Sequence, residues 1–240
     1  MTHVIAGYPS LDANWQMLEI MQEVGVDMVE LQMPFSEPVA DGPTFARANQ
    51  LALRQGMRLE QYFDFMRRAT SSFDFPHLMM GYYNVAFRLG HAEFCARLRE
   101  AGAAGFILPD LPFEEYGNLF ALSEKRHLSP ILLMAPTNTR ARMEAIGRHS
   151  RGFVYAVARK GVTGRKTDLD KELNSFVQEC RGATELPLGL GFGLRDGEDL
   201  RGLQGAVEMA IVGSALLEEW EEKGREGYRR LLEDLADGRK

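Results

Sequence analysis

The sequence predicts an α/β protein, a single (β/α)8 barrel domain over residues 1–240, and three observations carry that prediction. Short apolar segments alternate with stretches whose apolar residues recur at helical spacing, eight times along the chain. No internal linker divides the alternation, and 240 residues is an ordinary length for one such barrel. A closed parallel barrel accounts for this pattern better than an open doubly wound sheet.

His3 to Gly7 reads as the first strand, followed by a helix with Met17, Leu18, Met21 and Val24 on one face, which Gly25 stops. Asp27 to Leu31 is the second strand, and Leu59, Tyr62, Phe63 and Met66 repeat the helical spacing. Leu78 to Gly81 and Gly105 to Leu108 are the third and fourth; between them Phe94, Cys95, Leu98 and Ala101 mark a helix that Gly102 ends. A helix from about Glu114, the strand Ile131 to Met134, a helix from about Arg140 and the strand Phe153 to Val157 follow. Lys160 to Asp168 is polar and glycine-containing and reads as a mobile loop, before a helix over Leu169 to Cys180. Leu188 to Leu190 and Glu208 to Val212 complete the strands, and a last helix runs from Ala215 past Leu231.

A net charge of -6 argues against broad attraction to nucleic acid or to anionic membranes, although a small anion could still use a local site. The two cysteines, Cys95 and Cys180, form no Cys-x-x-Cys pair, which suggests a reducing cytoplasm. No apolar run approaches the roughly 18 residues of a membrane span, and the N-terminus lacks a signal-peptide pattern, so the chain reads as soluble and unexported. The five histidines lack metal-ligand spacing, and no metal site is expected. No Gly-x-Ser-x-Gly elbow is present. Lys160 and Lys166 sit in a polar loop that would hardly lower their pKa as a Schiff-base lysine requires.

One stretch organises the rest. From Val29 to Pro43 the end of a buried strand opens into a loop that three prolines and a glycine keep irregular, with Glu30 at one end and Asp41 at the other. Two acids on a stiff loop can divide acid and base work, while an ordinary crossover with a surface aspartate is the competing reading. A barrel carries its active site on the loops after the strands and commonly binds phosphate after the seventh and eighth. There stand Gly191, Gly193, Gly213 and Ser214, with Gly164 available from the sixth loop; tight turns are the alternative use of such glycines. Asp110 lies in another proline-flanked loop past a strand, and Tyr82, Tyr155 and Phe192 fall at strand ends, where they either wall a pocket or fill the core.

These residues resemble the alpha subunit of tryptophan synthase. Glu30 to Pro43 is similar to the family's second-loop signature. Further matches in family order are Gly7-Tyr8-Pro9, Tyr82-Tyr83-Asn84, Asp110-Leu111-Pro112, Arg159 with Gly161-Val162-Thr163-Gly164, Gly191-Phe192-Gly193 and Gly213-Ser214, across nearly the whole chain. The resemblance implies retro-aldol cleavage of indole-3-glycerol phosphate to indole and glyceraldehyde 3-phosphate in tryptophan biosynthesis, without a cofactor in this chain. It implies Glu30 and Asp41 as catalytic acids and bases, and phosphate held around Gly164, Gly193, Gly213 and Ser214. Tyr155 and Phe192 would border the indole, with Tyr82 and Asp110 beside the pocket and Thr163 helping the sixth loop close over Asp41. It also implies a beta-subunit partner carrying pyridoxal phosphate, in an α2β2 heterotetramer that receives indole through a tunnel.

Set against the family pattern, Gln32 stands where glycine is usual, Glu37 where aspartate is, Lys160 where a small residue is, and His3 where an apolar or aromatic residue borders the indole. The chain also starts at strand one, without the leading helix that covers the barrel bottom in this family, which would leave apolar strand ends exposed. A non-catalytic regulatory subunit and an unrelated phosphate-binding barrel are the competing functions. Retention of both acids argues against the first, and the lack of an inward lysine in an apolar strand argues against the second.

Overall fold

The computed structural model describes residues 1–158, 166–191 and 193–239, with the backbone alone for 166–171. Strands β1 (Thr2–Ile5), β2 (Val29–Gln32), β3 (His77–Met80), β4 (Gly105–Ile107) and the first half of β5 (Ser129–Ile131) pair in parallel in that order. The second half of β5 (Leu133–Met134) continues through β6 (Val154–Val157), β7 (Leu188–Gly191) and β8 (Met209–Ile211). Leu132 joins the halves and still receives the Tyr155 amide on its carbonyl at 3.0 Å. A parallel bridge between Thr2 and Val212 brings β8 back to β1, and the ring closes. The strands are short and mostly buried on both faces, as parallel strands under a coat of helices must be.

Helices α1 (Leu11–Val24), α2 (Pro43–Arg54), α3 (Leu59–Thr70), α4 (Tyr83–Leu89) and α5 (His91–Glu100) surround the first half. Helices α6 (Leu119–Lys125), α7 (Arg140–His149), α8 (Lys166–Ala183), α9 (Gly197–Arg201) and α10 (Ser214–Asp237) surround the second. In α1 the Ser10 hydroxyl accepts the Ala13 amide at 3.0 Å, and Gly25 ends the helix with φ 80°, a left-handed value that glycine adopts without steric cost. Buried Asn14 ties the turn after β1 to the same helix: its Oδ1 accepts the Gly7 amide and its Nδ2 donates to the Tyr8 carbonyl, both at 2.7 Å.

Three sequence expectations are corrected, and one quoted motif falls in a helix. The organising loop ends at Gly42, because Pro43 occupies the first turn of α2, where its missing N–H is not needed. Tyr83-Asn84 likewise opens a helix. The helix expected from Glu114 is a 3-10 turn over Phe113–Glu115, with Gly117 at φ 53° separating it from α6. α8 begins at Lys166, inside the stretch read as a loop. The long α10 is kinked at Gly224, whose φ of 62° is outside helical space. At the end of the barrel from which the strands start, a cavity of about 790 Å3 opens among Met1, Val24, Met28, Leu203, Met209 and Leu235.

Candidate active site

The opposite end of the barrel holds a cavity of about 590 Å3, within the range of small-molecule sites. Glu30, Asp41, Asp110, Tyr155, Gly193, Gly213 and Ser214 all line it, so most of the residues singled out from sequence meet there. Gly164, Thr163 and Phe192 lie outside the described residues. Tyr82 does not line the cavity. Fully buried and stacked on Phe35 at 4.9 Å, it accepts the Ala40 amide on its hydroxyl at 3.1 Å and so holds the loop beside Asp41. Asp110 caps α4 by accepting the Tyr83 amide at 2.9 and 3.2 Å.

Residues of β1 and β2 build the acidic part of the site. Glu30 and Gln32 are two apart on one strand and share a face, and the parallel register sets His3 beside Glu30. His3 Nδ1 lies 2.9 Å from Glu30 Oε1 and His3 Nε2 lies 2.7 Å from Gln32 Oε1. Gln32 Nε2 donates to Asp41 Oδ2 at 2.6 Å. Glu30 is only 1 % exposed, and the Tyr155 hydroxyl approaches it at 3.4 Å, a long contact. Burial raises the Asp41 carboxyl above its usual 3.8, although the His3 charge and the bonds from Gln32 and Tyr82 pull the other way. Burial, reinforced by Glu30, likewise keeps the Tyr155 phenol well above its ordinary range and neutral.

Asn49, which no sequence signal singled out, is central to this arrangement. From α2 it accepts the Phe35 amide on Oδ1 at 2.9 Å and donates from Nδ2 to the Phe45 carbonyl at 2.9 Å and to Asp41 Oδ2 at 3.1 Å. Phe45, also from α2, lays its ring 4.3 Å from the His3 ring. Recognising α2 from Phe45, Ala48 and Ala52 at helical spacing behind Pro43 would have pointed to both.

The glycine-bearing ends of β7 and β8 complete the cavity. Gly193 has φ 67° and open space where a side chain would stand, while a Cβ on Gly213 would sit 2.7 Å from the Phe45 ring and 3.1 Å from His3 Cβ. Ser214 starts α10, whose first amides have no partner within the helix and carry its positive dipole end. Among the described residues no group of three His, Cys, Asp or Glu side chains could hold a metal ion, and no helix is long and apolar enough to cross a membrane.

A family model described as tryptophan synthase alpha chain matches residues 1–237. The chain belongs to the tryptophan synthase alpha chain family. It is 44% identical to the tryptophan synthase alpha chain of Syntrophotalea carbinolica over 235 residues, covering 98% of this chain and 93% of that one. The alpha chain of Desulforapulum autotrophicum is also 44% identical, over 236 residues with the same shares. Among solved structures, tryptophan synthase from M. tuberculosis in its aminoacrylate-bound form superposes with a TM-score of 0.90 at 32% identity, over 100% of this chain and 92% of that one. The alpha subunit from Legionella pneumophila str. Paris gives 0.89 at 28% identity, over 99% and 90%. With the family come the TIM-barrel fold and the lyase reaction of tryptophan biosynthesis, cleavage of indole-3-glycerol phosphate. The family also implies a beta partner.

Proposed function

We propose that this chain works as one barrel domain in which Glu30 and Asp41 divide the acid and base work of indole-3-glycerol phosphate cleavage. The observation that supports this reading is that both carboxylates line the cavity that also holds the start of α10 and the glycines of the seventh and eighth loops. A phosphate bound by the amides near Gly193, Gly213 and Ser214 would anchor the glycerol end and extend the indole ring towards the carboxylates. Asp41, a better proton acceptor for its raised pKa, takes the indole N–H proton and favours the tautomer whose C–C bond can break. Glu30 gives a proton to indole C3 and takes one from the glycerol hydroxyl, so the aldehyde leaves as glyceraldehyde 3-phosphate and the N–H proton returns from Asp41. Tyr155 walls the ring beside Glu30, and Asp110 and Tyr82 hold the loops around it.

In this reading no cofactor acts in the alpha chain, and pyridoxal phosphate belongs to a beta subunit in an α2β2 assembly in the cytoplasm. Val39, 77% exposed on the same loop as Asp41, gives such a partner an apolar handle on the site. The test is release of glyceraldehyde 3-phosphate from indole-3-glycerol phosphate, by the chain alone and with a beta subunit. Low activity that rises strongly with the partner, and a loss of about 10²- to 10⁴-fold in Glu30→Gln, are expected. A Glu30→Gln variant at full rate would remove the proposed division of labour.

A further inference from the structure

His3 and Gln32, two of the positions that depart from the family pattern, touch each other and both carboxylates. An unbroken path runs Glu30 Oε1, His3 Nδ1, His3 Nε2, Gln32 Oε1, Gln32 Nε2, Asp41 Oδ2, with links of 2.9, 2.7 and 2.6 Å. The backbone orients it. The Phe35 amide and the Phe45 carbonyl set which end of Asn49 is which, and Asn49 Oδ1 and Asp41 then both face Gln32 Nε2, at 3.3 and 2.6 Å. Gln32 must therefore present its NH2 to them and its oxygen to the imidazole, so His3 Nε2 carries a hydrogen. The line between His3 Nδ1 and Glu30 Oε1 is left to share one proton.

We propose that His3 is a positioning residue that stores the proton of Glu30, the imidazole and carboxylate acting as a one-proton pair whose ring orientation Gln32 sets. The inference rests on the reading of Glu30 as the acid–base group. The shared proton passes through Glu30 to indole C3, leaving carboxylate and neutral imidazole. As the C–C bond breaks and the aldehyde forms, the proton of the glycerol hydroxyl refills the pair. No oxidant or reductant is needed, and the pair ends as it began.

Burial opposes charge on His3, but the Glu30 charge and hydrogen bond outweigh it, with Asp41 and Gln32 adding, so the ring holds its proton above the ordinary 6.5. Tyr155 faces Glu30, and Tyr8 and Tyr228 share a small cavity with the His3 ring; burial raises all three phenols, which stay neutral. Phe45 covers the ring and Asn49 supports Gln32, while Arg142 in the main cavity is tied to Glu114. The Met1 amino group donates to the Ala210 carbonyl, and burial lowers its pKa to about 6 against the pull of Asp27 and Glu30, so it is largely neutral at pH 8. Loss of the second proton from the pair therefore falls at imidazole-like pH, and the one-proton form is the reactive one.

The test is the pH profile of kcat for cleavage by the complex with a beta subunit, in wild type, His3→Phe and Glu30→Gln. A carboxylate alone releases its proton at lower pH than an imidazole, so the alkaline limb of His3→Phe is expected to move acidward by about one unit or more. kcat should fall about tenfold at pH 8 and little at pH 6, with KM changed less than about threefold. A His3→Phe profile parallel to wild type, at any height, overturns the proposal, whereas full activity in Glu30→Gln overturns the underlying reading of Glu30. Should His3→Phe fail to fold, the 15N resonances of the His3 ring decide. A hydrogen on Nε2 and a midpoint above 6.5 that drops in Glu30→Gln support the pair, and a midpoint at or below 6.5, or one that does not move, overturns it.

Discussion

Asn49 Nδ2 lies 3.1 Å from Asp41 Oδ2, so the helix that follows the second loop grips the carboxylate that ends it. Because Asn49 is fully buried and also holds the Phe35 amide, Asn49→Ala leaves buried groups without partners. Unfolding free energy is expected to fall by about 1–3 kcal/mol. Cleavage should fall with it, through a loosened Asp41; chemical denaturation alongside the aldehyde-release assay reads both, and an unchanged rate would mean that Asp41 needs no such grip.

Asp41→Asn should separate activity from stability. The native Asp41 binds its proton more tightly than the usual 3.8 allows, so the folded state gains from that proton below 3.8 and loses the gain as pH rises through the raised pKa. At pH 7 the buried charge is a cost that asparagine removes. The variant is expected to lose most cleavage activity yet melt no lower than wild type at pH 7, and any advantage should vanish as pH falls through the carboxylate range. Melting curves at pH 3.5 and 7 check the sign.

Tyr82→Phe removes the acceptor of the Ala40 amide while leaving the stack on Phe35. A loss of about 1 kcal/mol in stability is expected, together with a higher KM for indole-3-glycerol phosphate from a less ordered second loop. A variant with wild-type KM would restrict Tyr82 to a packing role.

Asn14→Ala tests the fold away from the carboxylates. Gly7 N–H and the Tyr8 carbonyl both lose their partner in a place without exposure. The expected cost is about 1–3 kcal/mol in urea unfolding, and a change below about 0.5 kcal/mol would show that the turn after β1 re-forms its bonds with water.

The barrel was legible because each buried parallel strand is a short apolar run and most helices stop at glycines such as Gly25 and Gly102. The two carboxylates that line the cavity stand out in the sequence because charge in a buried strand end and beside a Gly-Pro turn is costly without a partner or a use. What sequence left unread were short or proline-led helices. α2 goes unread because Pro43 looks like the end of the preceding loop when it is in fact a helix starter, and with α2 go Asn49 and Phe45. Tyr82 at a strand end reads either as pocket wall or as core, and its side chain is fully buried and turned to the loop behind the cavity. Gln32 reads from sequence only as a departure from the family's usual glycine; the three-dimensional pairing with His3 reveals its side chain as a connector.

The close approach of Gly213 to Phe45 and His3 bears on how this cavity can be redesigned. Three positions far apart in the chain crowd one another here: a methyl at 213 demands a smaller ring at 45 or a shifted one at 3, and a shifted ring at 3 breaks its bonds to Glu30 and Gln32. Libraries aimed at bulkier ring systems therefore have little to gain at this junction. Room is better sought along Met80, Ile107, Leu133 and Ile211, apolar residues that line the same cavity and bear no hydrogen-bonding side chain to lose.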